Sequence, residues 1–399
     1  MREANEIRTR RLYDGDAYAS EFDAVVLAAD GNDIVLDQTL FFPEEGGQCP
    51  DRGVLMKEGR QETAFSVTDV RIRDGEIHHL IRETGAFAAG DRVHGKIDWN
   101  FRFSNMQQHS GEHLFSGIVH RRYGFDNVGF HLSGKEVTLD FNGVIPGEDI
   151  PSIEEEIAEV IFADLPSEVR VTTPEEREKL SYRSKLDLPG DVRIVIYPGV
   201  DACACCAPHV RRTGEIGLLT VTGMINWKGG VRVSILCGMR AFRYLAEEHR
   251  ILTRTARYLT TSPSEVYAQT VRLKEENRTL MSSLRETGEQ LLLIKAGALP
   301  PEDDVVLFST GTNQQTARGA VNAMMAERSG ICAVFSGSDE EGYTFLIGSA
   351  HADTRVVCKK LREKLGAKGG GKKEMVEGKV HAKEEEIRAV FTAERSGNE

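Results

Sequence analysis

Four residues that could ligate a single metal ion fall in two short, widely separated segments. His109 and His113 stand four positions apart in HSGEH, so one face of a helix would hold both imidazoles rigidly. In CACCAPH, Cys205 and His209 repeat that spacing in a turn stiffened by Pro208. Three imidazoles and one thiolate complete a tetrahedral nitrogen and sulfur set, which selects zinc over magnesium or calcium. The pattern predicts one zinc ion per chain.

Two other interpretations of these segments remain open. HSGEH also matches the inverted zinc-protease motif HxxEH, in which Glu112 is the general base and a glutamate at 154–156 is the third ligand. That interpretation leaves Cys205 and His209 without a role. Alternatively, the zinc is purely structural in a protein that binds a partner and catalyses no reaction.

Together these segments resemble the editing domain of alanyl-tRNA synthetase and its stand-alone trans-editing relatives of the long AlaX type. The two histidines match the family's HxxxH pair, and CCAPHVRRTGEIG, residues 205–217, matches its C-G-G-T-H-V…T-G-[DE]-I-G segment. Cys206-Ala207-Pro208 stands where the synthetases carry Gly-Gly-Thr, so Cys203 or Cys206 could substitute for Cys205, although spacing favours Cys205. The resemblance implies an aminoacyl-tRNA hydrolase that uses zinc to remove a wrong amino acid from tRNA(Ala), with seryl-tRNA(Ala) as the expected substrate. The alternative with a purely structural zinc would bind tRNA or a nucleotide and release no amino acid.

The segment DQTLFFPEEGGQ, residues 37–48, resembles the glycine-rich stretch of the family's N-terminal β domain. We expect Thr39, Gly46, Gly47 and Gln48 to contact the substrate. Because alanine enters wherever serine does, only a hydrogen bond to the serine hydroxyl can favour the serine ester. Thr39 is the candidate partner for that hydroxyl. Glu112, between the two histidines, is the candidate general base, or else forms an exposed salt bridge on its helix.

The elements that must position these residues indicate an α+β multidomain protein. Residues 1–98 read as a small β-barrel domain, with a hairpin turn at Asp30-Gly31-Asn32. Residues 99–240 read as an α+β zinc-binding editing domain, in which a helix over 103–122 ends near Gly124. Residues 241–297 form a helical linker. Residues 298–399 alternate strands with helices and resemble a DHHA1-type α/β domain.

The linker carries a heptad of mostly apolar residues from Val266 to Ile294, which is typical of a coiled-coil seam. Two partners are possible for this seam. It could pair with the preceding helix, residues 241–258, or it could form a homodimer through residues 262–294 together with the C-terminal domain.

The charge pattern points to a local nucleic-acid contact rather than a global one. The net charge is −12, yet residues 359–379 contain eight Lys or Arg against three Glu. We expect Lys368, Lys372 and Lys373, on either side of Gly369-Gly370-Gly371, to bind the tRNA backbone; the alternative is a solvated helix face plus a flexible loop. Seven cysteines with three at 203–206, and no apolar run long enough for a membrane, favour a cytoplasmic protein without a membrane partner.

Overall fold

The computed structural model describes residues 9–59, 62–134, 136–184, 189–300 and 304–392. The chain divides into two compact units, Met1–Ile251 and Leu252–Glu399. Both contain sheets and helices, so the predicted mixed α+β class is confirmed. The finer division into four domains remains a proposal. Within the described residues, no helix is both long and apolar enough to cross a membrane.

The first unit begins with a ring of six antiparallel strands. The strands of this region are β1 (Arg10–Arg11), β2 (Glu21–Asp30), β3 (Asp33–Leu36), β4 (Gln38–Thr39), β5 (Gly53–Lys57), β6 (Ala64–Arg73), β7 (Glu76–Ile81) and β8 (Arg92–Ile97). They pair in the closed order β2-β3-β7-β6-β5-β8, while β1 and β4 form a separate parallel pair. Gly31, at φ +63°, makes the β2–β3 hairpin turn. Alternating apolar residues such as Ile34, Leu55 and Val70 fill the interior.

A long buried helix and two sheets follow. The elements are α1 (Trp99–Tyr123), β9 (Asn127–Leu132), β10 (Val137–Phe141), α2 (Ile150–Phe162), β11 (Glu168–Thr172), α3 (Pro174–Arg177), β12 (Val192–Tyr197), β13 (Asp201–Ala204), β14 (Leu219–Trp227) and β15 (Gly230–Cys237). The sheet orders are β14-β15-β10-β9 and β11-β12-β13. The helix α1 starts where the Asp98 carboxylate accepts from the amide of Phe101, and it ends at Gly124, at φ +70°, as predicted.

The polar residues inside α1 are its most informative feature. Buried positions from Arg102 to Val119 occupy all sides of the helix and include many polar side chains. Arg102 is fully buried and its guanidinium binds the carboxylate of Asp51 at 2.9 Å. Because a buried polar group must be hydrogen-bonded, such a helix is held in one orientation by its surroundings. Side chains on α1 are therefore positioned rigidly.

The remaining elements are α4 (Gly238–Tyr258), α5 (Val266–Gly297), β16 (Val305–Ser309), α6 (Gln314–Glu327), β17 (Cys332–Ser338), β18 (Gly342–Gly348), α7 (Thr354–Leu365), β19 (Lys368–Gly371), β20 (Met375–Val380) and α8 (Glu384–Thr392). The C-terminal sheet has the order β16-β17-β18-β20-β19. Residues of α5 and α6 pack on one face of this sheet, and residues of α7 and α8 pack on the other. This matches the alternation of strands and helices predicted for the region.

Apolar side chains of the heptad predicted on α5 are exposed. Leu280, Leu284 and Ile294 expose 68%, 63% and 72% of their surface. Pairing with the helix of residues 241–258 stays a prediction. The homodimer alternative remains a proposal.

Candidate active site

The two histidines of α1 lie one turn apart in the interior of the first unit. His109 is 4% exposed and His113 is 1% exposed. Gly111, between them, packs so closely on β15 that a Cβ atom there would lie 2.2 Å from the sulfur of Cys237. This close approach fixes the face of α1 on which both imidazoles project.

The second pair of predicted ligands comes from the loop after β13. The Cys205 sulfur lies 3.6 Å from His109 Nε2 and 3.2 Å from His209 Nε2. The candidate ligand atoms of the four residues, His113 included, all lie within 4.8 Å of one another. Arg193 of β12 donates to the carbonyl of Cys205 at 2.8 Å and thereby holds this loop in place. The structure thus brings together the four residues predicted from two distant segments.

Each of the three imidazoles is oriented by a partner at its Nδ1 atom. Two pairs are hydrogen bonds, His109 with Gln48 Oε1 at 2.7 Å and His209 with Ser110 Oγ at 3.1 Å. The third is the ion-pair contact of His113 with Asp201 Oδ2 at 3.0 Å. A hydrogen on Nδ1 that bonds an outer acceptor leaves the Nε2 lone pair available on the inner side. Histidines that ligate metals in proteins are held in this manner.

The electrostatics of the cluster suit a cation at its centre. Burial raises the pKa of the Cys205 thiol well above its usual range, with Cys206 adding to the effect. Burial also lowers the pKa of His209 far below its usual range, with the neighbouring histidines adding to the effect. A divalent cation would offset the cost of ionising the thiol and would use the neutral imidazoles as donors. The donor set therefore fits a metal ion that prefers nitrogen and sulfur.

A cavity of about 400 Å³ opens beside this cluster, and Gly46, Glu112, Phe130 and Arg193 are among the residues that line it. Glu112 is 4% exposed, which contradicts the alternative of an exposed salt bridge. One of its carboxylate oxygens accepts from Ser116 at 2.7 Å and from Asn127 at 2.6 Å. The other lies 3.8 Å from His113 Nε2. Glu112 is therefore a buried carboxylate at the wall of the cavity.

The glycine-rich segment reaches the cavity from the other side. Gly46 and Gly47 adopt φ values of +62° and +84°, which L side chains rarely allow. A Cβ atom on Gly47 would lie 2.3 Å from the carbonyl oxygen of Phe130, so this position tolerates only glycine. Gly46 lines the cavity, and Gln48 orients His109. Two glycines thus let the backbone pass close enough for Gln48 to support a predicted metal ligand.

Comparison with known proteins agrees with this geometry. Residues 13–101 match the family described as tRNA synthetases class II (A), and residues 192–234 match the threonyl and alanyl tRNA synthetase second additional domain. An alanyl-tRNA editing protein, AlaX-M from Saccharolobus solfataricus, is 34% identical over 56% of this chain and 97% of its own length. The chain belongs to the family of alanyl-tRNA editing proteins. The enzyme class predicted from the sequence, an aminoacyl-tRNA hydrolase, follows from this membership.

Two further proteins are similar in sequence to nearly the whole of this chain. Alanyl-tRNA editing protein AlaX-L from Pyrococcus horikoshii is 28% identical over 94% of this chain and 96% of its own length. An alanine–tRNA ligase from Pyrococcus furiosus is 30% identical over 96% of this chain but only 43% of its own length. The chain therefore spans less than half of that ligase and nearly all of the stand-alone editing protein.

Thr39 does not occupy the place predicted for it. It is fully buried, and its hydroxyl lies 2.8 Å from His79 Nε2 and accepts from the amide of Phe41 at 3.0 Å. It is absent from the described residues that line the cavity. A hydroxyl engaged in this way supports the β domain. The structure therefore corrects the prediction that Thr39 contacts the serine hydroxyl directly.

The structure adds positioning residues that spacing alone did not reveal. Asp201 of β13 bridges His113 and Arg183, whose guanidinium donates at 2.7 Å. Burial opposes ionisation of Asp201, but hydrogen bonds from His113 and Arg183 outweigh it and lower its pKa. The hydroxyl oxygen of Tyr197 lies 3.4 Å from His209 Nδ1. No sequence motif marks these residues, because their proximity depends on how β12 and β13 pack against α1.

The alternative thiols differ in position from Cys205. The sulfur of Cys203 lies close to the candidate ligand atoms of His113 and Asp201, and it is not part of the cluster that contains His109 and His209. Cys206 lines the cavity and its sulfur lies 3.4 Å from where a Cβ atom on Gly46 would be. Cys205 contacts both His109 and His209, so its position agrees with the choice that spacing favoured.

The acidic helix that the peptidase interpretation requires points its carboxylates elsewhere. Glu154 accepts from the amide of Val221 at 2.7 Å, and Glu156 pairs with Arg121 and Arg122. Among the described residues, the groups that could hold a metal at this site contain no glutamate from this helix. In the described part of the chain, the peptidase alternative therefore lacks the glutamate of this helix that it needs as third ligand.

The predicted tRNA-contacting lysines lie on the edge of the C-terminal sheet. Lys368 begins β19, and Lys372 and Lys373 follow it; all three are exposed. The flexible loop of the alternative interpretation is wrong, because Gly369–Gly371 pair with β20. A Cβ atom on Gly369 would lie 2.4 Å from the carbonyl of Glu377, so glycine permits the tight pairing. One exposed lysine thus begins the edge strand and two follow it, and their contact with the tRNA backbone stays a prediction.

Proposed function

We propose that this chain hydrolyses the ester between a wrong amino acid and the terminal ribose of tRNA(Ala), with seryl-tRNA(Ala) as its main substrate. In this proposal, one zinc ion is held by His109, His113, Cys205 and His209. The observation that carries the proposal is the convergence of these four side chains beside the cavity, in a chain that belongs to the editing proteins.

The chain's own residues have distinct tasks in this reaction. Gln48, Asp201 and Ser110 fix the three imidazoles, and Arg193 fixes the loop that carries Cys205. When bound, zinc would polarise the ester or lower the pKa of a water molecule. Glu112 would accept a proton from the attacking water, and its position at the cavity wall beside His113 supports this role.

The wider assignments are also proposals. The exposed lysines of the β19 edge would hold the tRNA, and the exposed seam on α5 would join two copies of the chain. All seven cysteines are free thiols, which suits a cytoplasmic location. A protein with a purely structural zinc would bind tRNA equally well, so release of the amino acid distinguishes the two.

The function is tested with tRNA(Ala) charged separately with serine, glycine and alanine. We expect the full chain to release serine fastest and to spare the alanine ester. The Glu112→Gln variant should retain tRNA binding and lose about 10²- to 10⁴-fold in the rate of release, the range for a general base. Release of no amino acid from any of the three substrates would contradict the proposal.

Metal content is tested separately by elemental analysis of purified protein. We expect about one zinc per chain, and the His113→Ala variant should lose most of it because three ligands remain. His120→Ala is the matched control, since His120 is on the same helix but is exposed and pairs with Asp126. Full retention of zinc in His113→Ala would show that the metal, if present, is held elsewhere.

A further inference from the structure

A row of polar side chains crosses the C-terminal sheet, and of its members only Lys368 has a role in the proposed function, as a tRNA contact. Strand pairing aligns Ser309 with Ser336, Ser336 with Thr344, Thr344 with Lys379, and Lys379 with Lys368. Directly paired residues project from the same face of a sheet. The neighbouring row on that face is apolar at Leu307, Val334 and Leu346 and packs under α6. The polar row, here called the hydroxyl–lysine row, therefore lies beyond the N-terminal end of α6.

A cavity of about 230 Å³ lies where this row meets α6, and its lining includes Gln314, Ser336, Thr344 and Lys379. Ser336 is only 8% exposed, and its hydroxyl has no hydrogen-bond partner among the residues described. A buried hydroxyl without a partner is unfavourable unless a bound group supplies one. Ser336 thus marks the cavity as a place where a ligand with hydrogen-bonding oxygens would be stabilised.

The N-terminus of α6 supplies further donors to the same place. The Asn313 side chain accepts from the amide of Thr316, which leaves the amides of Gln314 and Gln315 without partners among the described residues. The first turn of a helix carries partial positive charge and binds anions through such amides. Because Gln314 also lines the cavity, the helix end and the hydroxyl–lysine row face a common space.

The charges around this cavity favour an anion. Neither Lys368 nor Lys379 forms an ion pair with another described residue, and both are exposed. Glu377 is the acidic residue in the described lining, but Gln314 donates to its carboxylate at 2.7 Å and Arg318 at 2.6 Å. The carboxylate is therefore neutralised within the protein, and the two lysines remain available.

We propose that this cavity is a phosphate-binding site, formed by the Ser336 hydroxyl, the first amides of α6 and the ammonium groups of the hydroxyl–lysine row. Its ligand is a phosphate group, which presents several acceptor oxygens to donors and carries the charge that the lysines complement. That phosphate belongs either to the backbone of the tRNA or to a free nucleotide. The proposal concerns the C-terminal unit and does not depend on ester hydrolysis.

The first test titrates the full-length protein with inorganic phosphate and measures the heat of binding. We expect Ser336→Ala to weaken phosphate binding about tenfold, the loss of one hydrogen bond to a charged group. We expect its melting temperature to stay unchanged or to rise, because the substitution removes a buried hydroxyl that has no partner. Ser283→Ala, at an exposed position of α5, is the matched control and should change neither quantity.

A second pair of variants tests the charge without touching the buried serine. Lys379→Ala should also weaken phosphate binding about tenfold, whereas Lys359→Ala, which removes an exposed lysine paired with Glu363 on α7, should not. Equal phosphate binding by wild type, Ser336→Ala and Lys379→Ala would overturn the site. A wild-type protein that binds no phosphate at millimolar concentration would overturn it as well.

Competition identifies the source of the phosphate. Displacement of inorganic phosphate by tRNA(Ala), but not by AMP, would support a tRNA backbone contact, and displacement by AMP would support a free nucleotide. Displacement by neither would overturn a biological role for the site. Release of serine from a minimal acceptor-stem substrate should be equal in wild type and Ser336→Ala, so failure of the phosphate site and failure of the editing activity are distinguished.

Discussion

Replacing Thr39 with valine separates a structural role from a role in substrate selection. Valine has nearly the shape of threonine, so the change removes a hydroxyl with little effect on packing volume. In the structure this hydroxyl donates to His79 Nε2, because the other ring nitrogen of His79 bonds the carbonyl of Ile34. The same hydroxyl accepts from the amide of Phe41. One substitution therefore leaves a buried acceptor and a buried donor without partners.

The expected loss of stability follows from those two groups. Each buried polar group that loses its partner costs about 1–3 kcal/mol. The sum is about 2–6 kcal/mol, against a total stability of about 5–15 kcal/mol for a typical domain. Thr68→Val, at an exposed position in the same ring of strands, should change stability by less than about 0.5 kcal/mol.

The assay combines urea unfolding with hydrolysis of seryl- and alanyl-tRNA(Ala) at a temperature where both variants remain folded. We expect Thr39→Val to unfold at a lower urea concentration and the ratio of the two hydrolysis rates to stay near that of wild type. A loss of roughly ten- to a hundredfold on the seryl ester alone, with unchanged stability, would refute this reasoning. It would show that Thr39 contacts the serine hydroxyl in the bound complex.

The other predictions concern the tRNA contact, pH and metal affinity. Replacing Lys368, Lys372 and Lys373 together with alanine should weaken tRNA binding and reduce the slope of log affinity against log salt by about 2–3, and an unchanged slope would contradict a phosphate contact. Burial lowers the pKa of His79 to about 4, below its value of about 6.5 in the unfolded chain. Between these two pH values the unfolded chain binds more protons than the folded chain. The free energy of unfolding should therefore fall by up to about 3 kcal/mol as pH drops from about 6.5 to about 4. Urea unfolding of His79→Gln should show a flatter profile in that window, and a profile equal to wild type would count against it. Asp201→Asn should lower zinc affinity about 10- to 100-fold in a chelator competition, whereas equal affinity would show that Asp201 does not orient a ligand.

The sequence determined the parts of this protein that depend on local spacing. Two histidines four apart on one helix, and a cysteine and histidine four apart in a turn, were sufficient to predict which side chains would meet. The helix ending at Gly124 and the turn at Gly31 follow from the same kind of rule, because glycine adopts positive φ without strain.

Tertiary packing decided what local spacing could not. Thr39 and Gln48 lie in one short segment, yet one bonds inside the β domain and the other bonds His109, because the fold turns the backbone at Gly46 and Gly47 between them. Asp201 has no motif around it and becomes the partner of His113 only through the packing of β13 against α1. A side chain's chemistry is set by burial and by neighbours from distant parts of the chain, and neither property is encoded in the spacing of nearby residues.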